Sequence, residues 1–162
     1  MNLIDLYDSL SLPENDKKIF NAIPIPEYPN FRVAIDFEGN AVLLLSITKK
    51  IKDLSLKNFR LKYLQLEQNL DCKVFENDFF KHQTFTVITF RCSDRNLQEY
   101  FLRISETLVK TIGQNPTQQQ VIDSLKKFVE VFTSLTDSPK NTISGLWAEL
   151  FLIENDEFFF SE

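Results

Sequence analysis

Glycine is scarce in this chain, at three in 162 residues, and methionine, tryptophan and histidine occur once each. So little glycine argues against a loop-rich or low-complexity polypeptide. The single histidine, His82, excludes a site built on two imidazoles from one chain, and beside Lys81 it reads as a surface residue with no role. The two cysteines, Cys72 and Cys92, stand twenty positions apart without a CxxC or a histidine cluster, so neither a zinc site nor a disulfide framework has support. They read as reduced core thiols near strand ends. No apolar run approaches the roughly 20 residues of a membrane span, and Asp5 and Asp8 stand where a signal peptide carries Lys or Arg. The expectation is a cytoplasmic protein with no membrane association.

What the chain does have is aromatic bulk. Sixteen Phe and a 43% hydrophobic content are enough for one ordinary domain with a core of packed rings. Charge is unevenly spread. Residues 1–50 carry five Lys or Arg and seven Asp or Glu, residues 51–110 carry ten and eight, and residues 111–162 carry three and eight. The net charge is -5, and the basic residues of the middle third are mixed with acidic ones, which argues against strong nucleic-acid binding by this chain alone.

The pattern predicts an α+β fold: a mainly antiparallel sheet over about residues 31–92, followed by three helices. Residues 1–30 read as a short amphipathic helix and a proline-rich connector, IPIPEYPN, whose Pro24, Pro26 and Pro29 deny backbone donors. FRVAIDF and AVLLLSI, separated by Glu38, Gly39 and Asn40, read as a hairpin. LSLKNFRLKYLQLE (54–67), DCKVFEN and TFTVITFRC complete a meander with one covered face, since Phe31, Val33, Ile35, Phe37, Phe85 and Val87 cannot all face water. The period then changes from two to 3.6. Ser93 and Asp94 are caps for a helix through Leu97, Tyr100, Phe101, Ile104, Leu108 and Ile112 that stops at Gly113. Val121, Leu125, Phe128, Phe132 and Leu135 line a second helix, expected to pair antiparallel with the first, and a third begins near Thr142 or Ser144 and contains GLWAELFLIEN. Residues 93–162 thus form a helical region within one compact unit.

Between Leu146 and Ile153 every residue is apolar except Glu149. Its helical stripe also holds Thr142, Gly145 and Asp156, flanked by Leu146, Leu152 and Ile153. One reading is the narrow polar edge of a mostly buried helix. The other is functional, because Gly145 one turn earlier leaves space beside the carboxylate for a metal ion, a substrate or another chain segment.

Three features occur in order: RCSDRNLQEYF entering the first long helix, then VIDSLKKFVEVF, then GLWAELFLIE. With the hairpin FRVAIDFEGNAVLLLSI before them, the chain resembles the PD-(D/E)XK nuclease-superfamily proteins found in bacterial restriction and phage-defence gene clusters. GLWAEL stands where that family has a Gly-Leu-x-Gly-Glu-Leu helix, with Ala148 in place of the second glycine. The resemblance implies that Glu149 is the catalytic-helix carboxylate that helps organise a divalent metal, Mg²⁺ in a complete homologue. The family's Asp and Glu-x-Lys lie on later strands, and none of the residues after Glu149 supplies them. The chain therefore reads as the N-terminal region of such a nuclease, inactive alone and without a cofactor of its own, because one carboxylate does not make a hydrolytic metal site.

Two other readings stay open. The unit is a stand-alone protein-interaction module, or a weak nucleic-acid-binding domain using Lys57, Arg60 and Lys62, although three cations on a strand are commonly a solvated face. Trp147, Leu150, Phe151, Phe158, Phe159 and Phe160 form an apolar surface expected to drive self-association or binding of a protein partner through the C-terminal helix. DNA is expected as a partner only within a complete nuclease.

Overall fold

The structure is a computed structural model that describes residues 2–14, 19–46 and 59–137. The described elements are α1 (Leu3–Asp8), β1 (Ile19–Ile25), β2 (Tyr28–Ile35), β3 (Ala41–Leu45), β4 (Phe59–Arg60), β5 (Leu64–Glu76), β6 (Phe79–Phe90), α2 (Arg95–Ile112) and α3 (Gln118–Asp137). The α+β class and the mainly antiparallel sheet are as the sequence predicts. The expected third C-terminal helix lies outside the described residues.

The hairpin of β2 and β3 is the local anchor of the sheet. Its strands pair antiparallel from Phe31 opposite Leu45 to Ile35 opposite Ala41. Asp36 organises the turn: Oδ1 accepts from the Glu38 and Asn40 amides at 3.0 and 2.8 Å, and Oδ2 accepts from the Asn40 side chain at 2.9 Å. Gly39 adopts φ +83°, where a side chain would be strained, and its carbonyl accepts the Tyr7 hydroxyl at 2.8 Å. A second hairpin joins β5 to β6 through Asn77 and Asp78, both at positive φ, as a two-residue turn matched to strand twist requires.

The sheet begins earlier than the sequence pattern indicates. The segment read as a stiff connector is strand: β1 runs through Pro24, and β2 starts before Pro29. Proline is tolerated because β1 meets β5 only over Ile19–Asn21, so among the described residues Pro24 has no strand neighbour on that side for its missing donor to fail. Residues 54–67 read as a strand or a bent strand, and of these only 59–67 are among the described residues, where the strand is interrupted. Within them the described strand residues are Phe59–Arg60 and the start of β5, which continues without interruption through DCKVFE with a register shift between Glu67 and Leu70. Cys72 accordingly lies in mid-strand rather than near a strand end.

The pairings run β1-β2-β3-β6-β5, and β1 then pairs with β5, so these five strands close into a barrel. Five strands cannot alternate direction all the way round. The β1–β5 contact is the one parallel pairing in the ring. Closure gives the sheet two buried faces instead of one covered face. The lumen holds Phe20, Ala22, Ala34, Val42, Leu44, Cys72, Val74, Phe85 and Val87. The outer face presents Phe31, Val33, Ile35, Leu43, Leu45, Leu64, Leu66, Ile88 and Phe90 to the helices.

Asp94 caps α2 by accepting from the Asn96 and Leu97 amides, and Gly113, at φ +74°, ends it. Thr117 and Gln120 exchange side-chain-to-amide hydrogen bonds at the start of α3, a reciprocal cap. Phe101 stacks on Phe90 of the barrel at 5.1 Å and also meets Phe128 and Phe132. These contacts set the beginning of α2 beside the later part of α3, the antiparallel pairing that the sequence predicts. Short helix α1 is tied down by Arg95 to Asp8 at 2.7 Å and by the Leu3 amide, which donates to Glu106 at 2.6 Å.

Candidate functional site

One end of the lumen opens into a cavity of about 490 Å³ lined by Phe20, Asp36, Phe37, Glu38, Arg60, Gln65, Glu67, Leu70, Val87, Thr89 and Arg91. Strand alternation places these groups. Gln65 and Glu67 on β5 face inward while Leu64 and Leu66 face the helices, and Thr89 faces inward between Ile88 and Phe90. Register orders them in depth. Gln65 lies opposite Thr89, Glu67 lies opposite Val87 one pleat further in, and Arg60 pairs with Gln65 across β4 and β5.

Much of this polar lining is already engaged. Arg91 donates to Gln65 at 2.8 Å and to Glu38 at 3.3 Å, and Gln65 in turn donates to Glu67. Asp36 is filled by its own turn. Deeper in, burial pushes the Cys72 thiol up to about 12, reinforced by the charges of Asp71 and Glu67. Cys72 is therefore a protonated core thiol, and it donates weakly to the Leu70 and Gln83 carbonyls. Both cysteines are free.

On the lumen face outside the cavity, Arg32 donates from Nε to Glu76 at 2.6 Å, and its guanidinium lies 5.3 Å from the centroid of the Phe85 ring. Lys81 approaches the same carboxylate at 3.8 Å. This cluster ties β2, β5 and β6 together.

The residues singled out in the sequence fare differently. Glu149, Lys57, and the apolar set Trp147, Leu150, Phe151, Phe158, Phe159 and Phe160 lie outside the described residues. Arg60 and Lys62 do not share a face. Arg60 lines the cavity, whereas Lys62 is not part of its lining and its ammonium sits 5.0 Å from the centroid of the Tyr63 ring. Sequence reasoning missed Glu67 and Thr89, because only the pairing of β5 with β6 brings them to one wall. The large apolar side chains most exposed among the described residues are Leu12, Phe79 and Phe80, the last two beginning β6.

No group of three or more His, Cys, Asp and Glu side chains among the described residues is arranged to hold a metal ion. Of the three carboxylates at the cavity, Asp36 is engaged by the donors of its own turn and Glu38 is paired with Arg91, which leaves Glu67, and one carboxylate does not make a hard-cation site. No described helix is long and apolar enough to cross a membrane. No curated protein and no solved structure matches the chain. A family model matches residues 3–156 and so takes in the barrel, α2, α3 and GLWAEL: the chain belongs to the family described as "Putative PD-(D/E)XK family member, (DUF4420)".

Proposed function

We propose that this chain is the N-terminal region of a PD-(D/E)XK-like nuclease of a restriction or phage-defence system, and that it does not cleave nucleic acid by itself. The observation that carries the reading is the family match over residues 3–156, which includes Glu149 in its Gly-Leu-x-Ala-Glu-Leu setting. Defence association is supported by the resemblance of the four segments quoted above. Inactivity rests on chemistry: phosphodiester hydrolysis of this kind needs several oxygen ligands on one hard cation, and Glu149 offers one. The Asp and Glu-x-Lys would have to come from outside these 162 residues. Protein partnership through Trp147, Leu150, Phe151 and the terminal phenylalanines follows from the same reading.

The test has two arms. The purified chain is incubated with DNA and RNA in Mg²⁺ or Mn²⁺, and no cleavage is expected. It is then co-produced with whatever the DNA immediately downstream encodes. Cleavage that appears only in the combined sample, and is lost on Glu149→Gln, supports the reading. Cleavage by the chain alone refutes the claim of inactivity. A downstream sequence without Asp and Glu-x-Lys, beside a combined sample that stays inactive, favours an interaction module instead.

A further inference from the structure

Three polar groups at the mouth of the barrel take part in no ion pair among the described residues. Arg60 is exposed, and its guanidinium makes no ion pair or hydrogen bond among the described residues. Thr89 is 6% exposed, and its hydroxyl likewise has no hydrogen-bond partner among them. Glu67 accepts one hydrogen bond, from Gln65, and is in no ion pair among the described residues. Glu67 is half-buried and the Thr89 hydroxyl is not shut off from water, so both face the cavity with hydrogen-bonding capacity to spare.

The order of these groups says what kind of ligand fits. The cation is at the rim, level with Gln65 and Thr89, and the carboxylate is one pleat deeper, about 7 Å along the strand. Between and below them the walls are Phe20, Phe37, Leu70 and Val87. A matching molecule is anionic at one end, flat and weakly polar in the middle, and carries an N–H donor at the inner end. Asp36, Glu38 and Arg91 do not disturb this order, because they are satisfied among themselves and by Gln65 and the turn. A cavity of about 490 Å³ lies within the size range of small-ligand pockets.

We propose that the barrel mouth binds one nucleotide whose base carries an exocyclic amino group, with the base in the lumen against Glu67 and Thr89 and the phosphate at Arg60. Glu67 accepts from the amino group, as carboxylates do from cytosine N4, and it meets an acceptor where thymine has O4. The nucleotide comes either from solution or from a strand with one base turned out of its stack. The inference does not rest on the nuclease reading, since it concerns binding by residues well before Glu149 and needs no cleavage.

The experiment is calorimetric titration of the full 162-residue chain with dCMP, dAMP, dTMP and deoxycytidine, and with a duplex carrying one unpaired cytosine. dCMP and dAMP are expected to bind at least tenfold tighter than dTMP. Glu67→Gln removes that discrimination, and Thr89→Val weakens it. Arg60→Ala weakens dCMP but leaves deoxycytidine unchanged. Circular dichroism checks that each variant is folded. Tighter binding of the duplex than of dCMP assigns the source to an extruded base, and the reverse assigns it to a free nucleotide. No binding of any probe at millimolar concentration overturns the proposal. So does dTMP binding as tightly as dCMP, or affinity untouched by both Glu67→Gln and Arg60→Ala.

Discussion

Replacing Arg32 with methionine keeps a long apolar stem in place and removes the charge that faces Glu76. The carboxylate it abandons is 4% exposed, and the remaining cation, Lys81, is 3.8 Å away on a side chain that is half in water. Two unit charges about 4 Å apart attract by about 4 kcal/mol at the effective dielectric of a protein site. Breaking a buried pair from one side costs about 3 to 5 kcal/mol, because the orphaned charge stays desolvated. Lys81 recovers part of this, and the lost contact of the guanidinium with the Phe85 ring adds to it, so Arg32→Met is expected to cost about 3 kcal/mol. That is a large share of the 5 to 15 kcal/mol typical of a domain's whole stability. Glu76→Leu should cost less, because Arg32 is more exposed than its partner and can turn toward solvent. The double variant Arg32→Met/Glu76→Leu should regain most of the loss, since an apolar pair of similar volume replaces a buried ionic one at little net change. Urea denaturation of the full chain reads this directly. With a slope of about 2 kcal/mol per molar, Arg32→Met moves the midpoint down by roughly 1.5 M. A shift corresponding to under about 1 kcal/mol, or a double variant as unstable as Arg32→Met, would refute the assignment of a buried, mutually dependent pair.

Four further outcomes are expected. Phe101→Ala, at the centre of the rings joining barrel to helices, should cost about 3 to 5 kcal/mol in the same denaturation assay. Thr117→Ala removes one half of the reciprocal cap on α3 and should cost about 1 kcal/mol. Cys72 holds its proton more tightly folded than unfolded, so its contribution is intact below about pH 9 and is lost as pH rises toward about 12, by up to about 1.4 kcal/mol per pH unit. Tyr7, raised chiefly by burial, adds in the same direction, and Cys72→Ala should flatten the alkaline fall of the urea midpoint measured from pH 8 to 11. Phe79→Ser should leave stability within about 0.5 kcal/mol, because that ring is 70% exposed, and a larger loss of thermal midpoint would place it in a contact the fold does not show.

The helical half was legible because its information is local. Asp94, Gly113 and the 3.6-residue spacing of Tyr100, Phe101, Leu108 and Ile112 bound α2 from within its own sequence, and the stripe from Val121 to Phe132 does the same for α3. The β2–β3 hairpin was equally legible, through Glu38, Gly39 and Asn40. Proline misled at β1, since its missing donor counts against a strand only where a neighbour needs it.

The amino-acid sequence by itself determined the α+β class, the position of the hairpin and the two long helices, and membership of a family whose pattern runs through GLWAEL. It also determined which residues of each strand alternate. It did not determine what either side of the sheet meets. Phe85 and Val87 alternate with Ile88 and Phe90 in one run, and nothing in that run says that the first pair enters a lumen while the second meets α2 and α3. That assignment depends on Ile19–Asn21 reaching Lys73–Phe75, a parallel pairing between segments more than fifty residues apart. The cavity exists for the same reason. Arg60, Glu67 and Thr89 are unremarkable singly, and only the closed ring and its register set a cation, a carboxylate and a hydroxyl around one opening.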